Sequence, residues 1–192
     1  MVEDDEQKKR FVMKEIRMKV IVAGEPGSGK SVISEVSDAC ISLKQFGVSL
    51  GVKTMDLEDT KCKMAFTTWT LTEGRPRDTS YYKGTKAAVI VCDLTKGNTV
   101  IKIKTWADSI IKRVGSIPLV FVGNNVDSAK GNNVDIMLKI AESYRSPVVF
   151  TRLGDRKSVE EIFDQIVKAV GPGILDEECF PDDKITSVSN NK

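Results

Sequence analysis

The sequence predicts an α/β domain with a mostly parallel sheet of about six strands and helices on both faces. Two observations predict this architecture. Short apolar runs that suit buried strands alternate with stretches of helical periodicity between residues 18 and 170. One such run, Met18–Ala23, leads directly into a glycine-rich turn and then into a helical pattern. In sheets of this kind, ligands bind at the carboxyl ends of the strands.

The elements follow in chain order. After the glycine-rich turn, Ser31 to about Lys44 has the apolar spacing of a helix. Lys53–Leu57 and Lys61–Trp69 predict two strands around a short turn. Ala87–Cys92 is a continuous apolar run, which fits a strand covered on both faces. The remaining predictions are a helix over 99–114, a strand over 118–122, a helix over 134–144, a strand over 147–150 and a helix over 159–170.

Charge and composition divide the 192 residues into one domain with two polar ends. Residues 1–17 carry five acidic and five basic side chains and predict a charged N-terminal extension. Residues 173–192 carry five acidic and two basic side chains and predict a disordered acidic and polar tail. The domain between them, residues 18–172, holds 22 basic and 17 acidic groups. This mild excess fits a phosphate ligand but is too diffuse to predict a nucleic-acid partner.

Other features of composition bear on location and chemistry. No apolar run is long enough to span a bilayer and no signal-peptide pattern is present, so we expect a cytoplasmic protein. The four cysteines show no C-x-x-C spacing and are expected to be reduced. Because the sequence has no histidine, it lacks the commonest general base.

The glycine-rich turn has the spacing G-x-x-x-x-G-K-S of a phosphate-binding loop. Its residues are Gly24, Glu25, Pro26, Gly27, Ser28, Gly29, Lys30 and Ser31. The glycines let several backbone N–H groups point at one anion, and the following helix adds its positive end. Lys30 can reach the terminal phosphates, and the Ser31 hydroxyl can bind Mg²⁺. The sequence therefore predicts binding of a nucleoside di- or triphosphate.

Three segments resemble the Ras superfamily of small GTPases, and within it the Rab branch. The first is the phosphate loop itself. The second is Tyr81–Thr95, which is similar to the family's Y-Y-R-G strand motif. The third is Val122-Gly123-Asn124-Asn125-Val126-Asp127, which is similar to the guanine-reading motif V-G-N-K-x-D. The resemblance covers about residues 18 to 170, and it implies the P-loop G-domain fold with GTP or GDP and Mg²⁺ as ligands.

The resemblance implies which residues contact guanine. An Asp at the position of Asp127 accepts hydrogen bonds from N1–H and the exocyclic amine of the base, a donor pair that adenine lacks. Asn124 would tie this loop to the phosphate loop. Asn125 stands where the family has a lysine whose stem covers the base, which implies weaker affinity. The third base motif of the family falls at Thr151-Arg152-Leu153, where backbone N–H groups of Arg152 or Leu153 would serve.

The resemblance also implies a metal site. Ser31 would hold Mg²⁺, and Ser49 stands at the spacing of the family's switch I threonine. Where the family has D-T-A-G-Q, this chain has Thr70-Leu71-Thr72-Glu73-Gly74, so the metal-anchoring Asp and the water-positioning Gln are missing. Pro26, next to the γ-phosphate position, has no N–H to donate. We predict no catalytic residue, and hydrolysis at or below about 10⁻⁴ s⁻¹.

Partner proteins are the expected route of action. The last dozen residues contain no cysteine and residue 2 is Val, so no prenylation or myristoylation signal is expected. Regulatory or effector proteins would then bring the protein to its site of action.

Two other interpretations remain open at this point. One is a pseudo-GTPase scaffold that keeps the fold without useful nucleotide binding. The other is a nucleotide or small-molecule kinase, because G-x-P-G-S-G-K also occurs in the adenylate-kinase-like family. The missing Arg-rich lid segment counts against the kinase.

Overall fold

The computed structural model describes residues 14–31, 33, 36–43, 47–57, 62–71, 79–152 and 154–170. The predicted tail, residues 173–192, lies outside the described residues, as do residues 1–13 of the predicted extension. Residues 14–17 of that extension form the start of the first strand, because their backbone pairs with a neighbouring strand throughout.

Seven strands form one mixed sheet in the spatial order β2-β3-β4-β1-β5-β6-β7. Their bounds are β1 Lys14–Ala23, β2 Ala39–Leu43, β3 Val48–Asp56, β4 Cys62–Leu71, β5 Thr85–Asp93, β6 Leu119–Asn124 and β7 Val148–Thr151. The strands from β4 through β1, β5 and β6 to β7 run parallel, whereas β2 and β3 are antiparallel additions at one edge. The predicted α/β class with a mostly parallel sheet is confirmed.

Helices cover both faces of the sheet. They are α1 Gly97–Ile101, α2 Ile103–Val114, α3 Asn133–Ser143 and α4 Arg156–Val170. On one face, Ile162 and Phe163 of α4 pack with Phe66 and with the valines of β1, β5 and β6. On the other face, α1, α2 and α3 bury their apolar sides against β5 and β6, as Trp106 of α2 does. Strand β5 is therefore buried from Ala87 to Asp93, as its unbroken apolar run predicts.

The predicted helix over 31–44 is wrong in its second half. The chain is helical at Ser31 and Ile33 and turns at Val36, and then residues 39–43 form β2, which pairs with β3. Helix-like spacing of apolar residues did not decide the structure here, because pairing with an open sheet edge outweighs a local pattern. The same edge explains why the sheet has seven strands where about six were predicted.

The structure also bears on the cysteines and on membrane-spanning helices. Cys40 and Cys92 are free thiols, but Cys62 is disulfide-bonded, so the expectation of reduced cysteines is wrong at Cys62. Cysteine spacing does not reveal which thiols a fold brings together, which is why the sequence misses this bond. Within the described part of the chain, no helix is both long and apolar enough to cross a bilayer.

Candidate functional site

The candidate site lies at the carboxyl edge of the parallel strands. There β1, β5, β6 and β7 end at Ala23, Asp93, Asn124 and Thr151. Because parallel strands present their carboxyl ends at one edge, the loops that follow these residues meet in one place. The phosphate loop follows β1, and the segment with the guanine-reading motif follows β6.

The phosphate loop needs glycine at two positions for reasons that the structure makes explicit. Gly24 and Gly29 have φ angles of +151° and +86°, which residues other than glycine rarely adopt. A Cβ on Gly24 would clash with the carbonyl oxygen of Val91, and a Cβ on Gly29 would clash with the side-chain amide of Asn124. The loop is thus packed directly against the ends of β5 and β6.

Lys30 lies buried beneath this loop. Its ammonium donates hydrogen bonds to the carbonyl oxygens of Gly24 and Glu25, both at 2.8 Å. Burial lowers the pKa of Lys30 to about 8, and the nearby carboxylate of Glu25 opposes this shift. An anion at the loop would restore the charged form, since a negative neighbour favours the protonated lysine.

The Glu25 side chain joins the phosphate loop to α2 and to Lys102, the residue just before that helix. Its carboxylate accepts a hydrogen bond from Nε1 of Trp106 at 2.9 Å and pairs with Nζ of Lys102 at 3.1 Å. A carboxylate beside a phosphate site would repel the ligand if it faced inward. Here its two oxygens face Trp106 and Lys102 instead, so it serves as a structural anchor.

Asn124 joins the two loops of the site. Its side-chain amide donates to the carbonyl oxygen of Ser28 at 2.8 Å, and its Oδ1 accepts a hydrogen bond from the Thr151 hydroxyl. Both partners are buried, as is Asn124 itself. The link from Asn124 to the phosphate loop is the one that the sequence predicted.

Asn125 contacts neither Asp127 nor the phosphate loop in the described hydrogen bonds. It adopts a left-handed backbone conformation with φ of 58°, which asparagine tolerates better than most residues. Its amide donates to Oδ1 of Asp93 at 3.1 Å. Burial acts to raise the pKa of Asp93, but hydrogen bonds from Lys96, Thr95 and Asn125 outweigh it and hold that pKa at about 2.

Asp127 is placed at the rim of the site. It lies in a short 3-10 turn after β6, and its side chain is 67% exposed. Oδ1 of Asp127 accepts a hydrogen bond from Nε of Arg152 at 3.0 Å. The structure therefore brings Asp127 and Arg152 together, while Leu153 lies outside the described residues.

A cavity of about 420 Å³ connects the phosphate loop to the base loop. Four of its lining residues were predicted from the sequence, namely Gly29, Ser31, Asn124 and Arg152. Asn125 of the guanine-reading motif also lines it, and five further lining residues were not predicted, namely Val36, Gly154, Asp155, Arg156 and Val159. Four of these follow the third base motif directly, so proximity in sequence was the available signal. Asp155 sets the start of α4 here, because its carboxylate accepts hydrogen bonds from the backbone N–H groups of Lys157 and Ser158 and so caps the helix.

A family model decides what this arrangement is. The model described as Ras family matches residues 19–171. The chain belongs to the Ras family. It is 26% identical over 186 residues to the Ras-related protein Rab-8B of Dictyostelium discoideum, with 91% of this chain and 90% of that protein covered.

Other relatives of this Ras-family chain carry similar names. The Ras-related protein SEC4 of Saccharomyces cerevisiae is 26% identical over 185 residues, covering 91% of this chain and 82% of the relative. The Ras-related protein Rab-18-B of Danio rerio is 27% identical over 165 residues, covering 80% and 78%. Ras and Rab GTPases as a family bind guanine nucleotide and regulatory or effector proteins. The likeness to the Rab branch is thereby confirmed.

The two serines expected at the metal lie on different elements of this Ras-family fold. Ser31 opens the helical turn after the phosphate loop and lines the cavity. Ser49 lies within β3, opposite Thr70 of β4, and its hydroxyl is 3.4 Å from Sγ of Cys40. It is absent from the lining of the 420 Å³ cavity. The position of Ser49 is thus set by the pairing of β3 with β4, and its distance from Ser31 along the sequence does not show where it lies.

Proposed function

We propose that this chain is a Rab-like guanine-nucleotide-binding protein that hydrolyses GTP very slowly and acts through partner proteins. The observation that supports it most is the cavity that joins Gly29 and Ser31 to Asn124 and Arg152. A nucleotide needs one site for its phosphates and one for its base at a fixed separation. The hydrogen bond from Asn124 to Ser28 holds these two sites together.

Asp127 is the proposed reader of the base. Its side chain is 67% exposed and lies outside the lining of the cavity, and its Oδ1 accepts a hydrogen bond from Arg152, which does line the cavity. A carboxylate has about four lone-pair positions, so one guanidinium bond leaves acceptors for N1–H and the exocyclic amine of guanine. Adenine has no such donor pair, so it would gain neither of these hydrogen bonds from Asp127. The proposed third contact is the backbone N–H of Leu153 or that of Arg152, which in this structure donates to Oγ of Ser158 at 3.4 Å.

The phosphate loop, Gly24 through Ser31, is the proposed phosphate site. The fully buried Ser28 hydroxyl has no hydrogen-bond partner among the described residues, so the loop carries polar capacity that the protein alone does not use. Lys30 supplies the cation: with a pKa of about 8 it is mainly protonated at neutral pH, and a bound phosphate would raise that pKa. Charge neutralisation of the phosphates would then rest on Lys30 and the N–H groups of the loop.

The residues present fit Mg²⁺ only in part. Mg²⁺ in phosphate sites is held by one or two carboxylates, water and the phosphates themselves. The described residues contain no cluster of three Cys, Asp or Glu that could hold a metal. Ser31 would provide a hydroxyl ligand, and Ser49 lies beside the buried, unpartnered hydroxyl of Thr70. A bound Mg²⁺ would neutralise phosphate charge, and the proposed neutral oxygen ligands are Ser31, which lines the cavity, and Ser49, which lies outside its lining.

Slow hydrolysis follows from what this chain offers the reaction. Phosphoryl transfer in this family depends on positioned water and on charge neutralisation. Thr70 and Leu71 end β4 where the family has its metal-anchoring Asp, and neither carries charge. Pro26 removes one N–H donor from the loop. Glu73 and Gly74, which replace the rest of the family motif, lie outside the described residues.

A regulatory switch or a nucleotide-stabilised interaction module is the proposed role. Membership of the Ras family favours this role over the kinase interpretation. The proposed location is the cytoplasm, and the proposed partners are regulatory or effector proteins and not nucleic acid. A pseudo-GTPase scaffold is the outcome that remains if no nucleotide binds.

The nucleotide content of freshly purified protein tests the proposal directly. Protein isolated without added nucleotide would be denatured, and the released compounds separated by ion-exchange chromatography. We expect GDP or GTP at close to one per chain, and none in the matched variant Lys30→Ala. Adenine nucleotide in place of guanine, or no nucleotide in either protein after reloading with GDP, would contradict the proposal.

Hydrolysis needs its own measurement. Protein loaded with γ-labelled GTP would be followed under single-turnover conditions with excess Mg²⁺. We expect a rate at or below the family's intrinsic value of about 10⁻⁴ s⁻¹. A rate tenfold above that value would show that groups outside the proposed set position the water.

A further inference from the structure

Lys96 makes a contact with the phosphate loop that no motif assigns. Its ammonium donates to the carbonyl oxygen of Gly27 at 3.1 Å. The same ammonium pairs with Oδ2 of Asp93 at 2.9 Å. Asp93 in turn accepts the amide of Asn125 through Oδ1 at 3.1 Å. A continuous chain of contacts therefore runs from the phosphate loop through Lys96 and Asp93 to the base loop.

The position of Lys96 is set by its backbone. Its N–H donates to the carbonyl oxygen of Asp93 at 2.9 Å, and its own carbonyl accepts from the Thr99 hydroxyl at 2.8 Å. The Asp93 side chain is almost fully buried at 6% exposure, whereas that of Lys96 is 52% exposed. The ammonium of this half-exposed side chain is therefore held between the buried Asp93 carboxylate and the Gly27 carbonyl oxygen.

The effect on the loop follows from peptide geometry. In a trans peptide, the carbonyl and the next N–H point in opposite directions. Lys96 holds the Gly27 carbonyl on one side, so the N–H of Ser28 points the other way, across the loop to the Glu25 carbonyl at 3.1 Å. Asn124 does the same one peptide later by holding the Ser28 carbonyl. Lys96 and Asn124 therefore fix the planes of two successive peptides in the phosphate loop, although the Ser28 N–H of the first is itself used within the loop by the Glu25 carbonyl.

We propose that Lys96 is a positioning residue for the nucleotide's β-phosphate, because it clamps the Gly27 carbonyl of the phosphate loop to the Asp93 carboxylate. This proposal rests on the proposed function, since it names a residue that prepares the same site. Lys96 acts through the loop and not by contact with the base. Its loss should weaken ligands that carry a β-phosphate and spare those that end at the α-phosphate.

The test compares GDP with GMP on the full chain. Lys96→Met removes the ammonium and keeps the length of the side chain. Lys96→Arg keeps a donor for the Gly27 carbonyl. Lys104→Met is the matched control, because Lys104 has a similar exposure of 59% and pairs with Asp108 at 2.8 Å in α2. Dissociation constants for both nucleotides would be measured by calorimetry, with thermal unfolding recorded for each variant.

We expect Lys96→Met to weaken GDP five- to twentyfold and GMP less than twofold, with Lys96→Arg recovering most of the loss and Lys104→Met unchanged. Equal losses for GDP and GMP would overturn the proposal, because they would indicate general damage to the fold. Unchanged GDP affinity in Lys96→Met would overturn it as well. Failure of the wild-type protein to bind GDP at all would instead contradict the proposed function, so the two failures are distinguishable.

Discussion

The side-chain amide of Asn124 donates to the carbonyl oxygen of Ser28 at 2.8 Å, and this bond joins the end of β6 to the phosphate loop. The two residues are 96 positions apart in sequence, so the bond is a property of the fold. It fixes the distance between the place for the phosphates and the place for the base. In this account, nucleotide affinity depends on it.

Replacing Asn124 by Ala should therefore weaken GDP binding by one to two orders of magnitude. It should also destabilise the protein by about 1–3 kcal/mol, because a buried acceptor loses its donor. Asn133→Ala is a matched control, since Asn133 is also buried and donates its amide to a backbone carbonyl, that of Leu94, at 2.8 Å. Calorimetric titration with GDP alongside urea unfolding separates the two effects. Equal GDP affinities in the two variants would show that the bond serves stability alone.

Asp127→Asn should change which base is preferred. An amide at this position offers a donor in place of one acceptor, which suits the second carbonyl of xanthine and not the exocyclic amine of guanine. We expect GDP to weaken at least tenfold and xanthosine diphosphate to improve by a similar factor. Asp108→Asn, an exposed carboxylate on α2, serves as the control. Unchanged selectivity in Asp127→Asn would show that this side chain does not read the base.

Arg152→Ala should have a small effect. The ion pair between Arg152 and Asp127 is exposed on both sides, and such pairs contribute about 0.2–1 kcal/mol. The proposed guanine contact of Arg152 is its backbone N–H, which the substitution retains. We expect GDP affinity within threefold of wild type by fluorescence competition. A loss of more than tenfold would mean that the guanidinium itself contacts the base.

The buried ammonium of Lys30 should make stability depend on pH. Its pKa is about 8 in the folded protein against an ordinary value of 10.5, so the unfolded chain holds more protons between these values. Stability from this group therefore rises as pH increases through that window. The unfolding free energy of wild type minus that of Lys30→Met should increase by about 2 kcal/mol between about pH 7.5 and about pH 9.5. Urea unfolding without nucleotide measures it, and a flat difference would place the Lys30 ammonium in contact with water.

Much of this fold could be predicted from sequence because its parallel strands are buried on both faces. The run Ala87–Cys92 has no other stable environment, and it forms the centre of β5. The edge of the sheet could not be predicted in the same way. Residues 39–43 have helical apolar spacing, yet they pair with β3, because the open edge of that strand offers hydrogen bonds that no local pattern reports.

The residues of the candidate site also separate into those that could be predicted from sequence and those that could not. Motif residues such as Asn124 could be assigned because their chemistry and spacing are specific. Asp155 and Val159 follow the third base motif in sequence, but only the cap of α4 shows that they line the cavity. Lys96 was missed for a similar reason. Its contact with Gly27 spans 69 positions and depends on how the turn after β5 packs against the loop.

A single titration measures whether this chain binds guanine nucleotide. Nucleotide-free protein would be titrated with fluorescent GDP, a non-hydrolysable GTP analogue and ATP, each with and without Mg²⁺. We expect saturable binding of both guanine nucleotides and none of ATP at the same concentrations, with only a modest gain from Mg²⁺. Absence of guanine-nucleotide binding, or equal affinity for ATP, would contradict it.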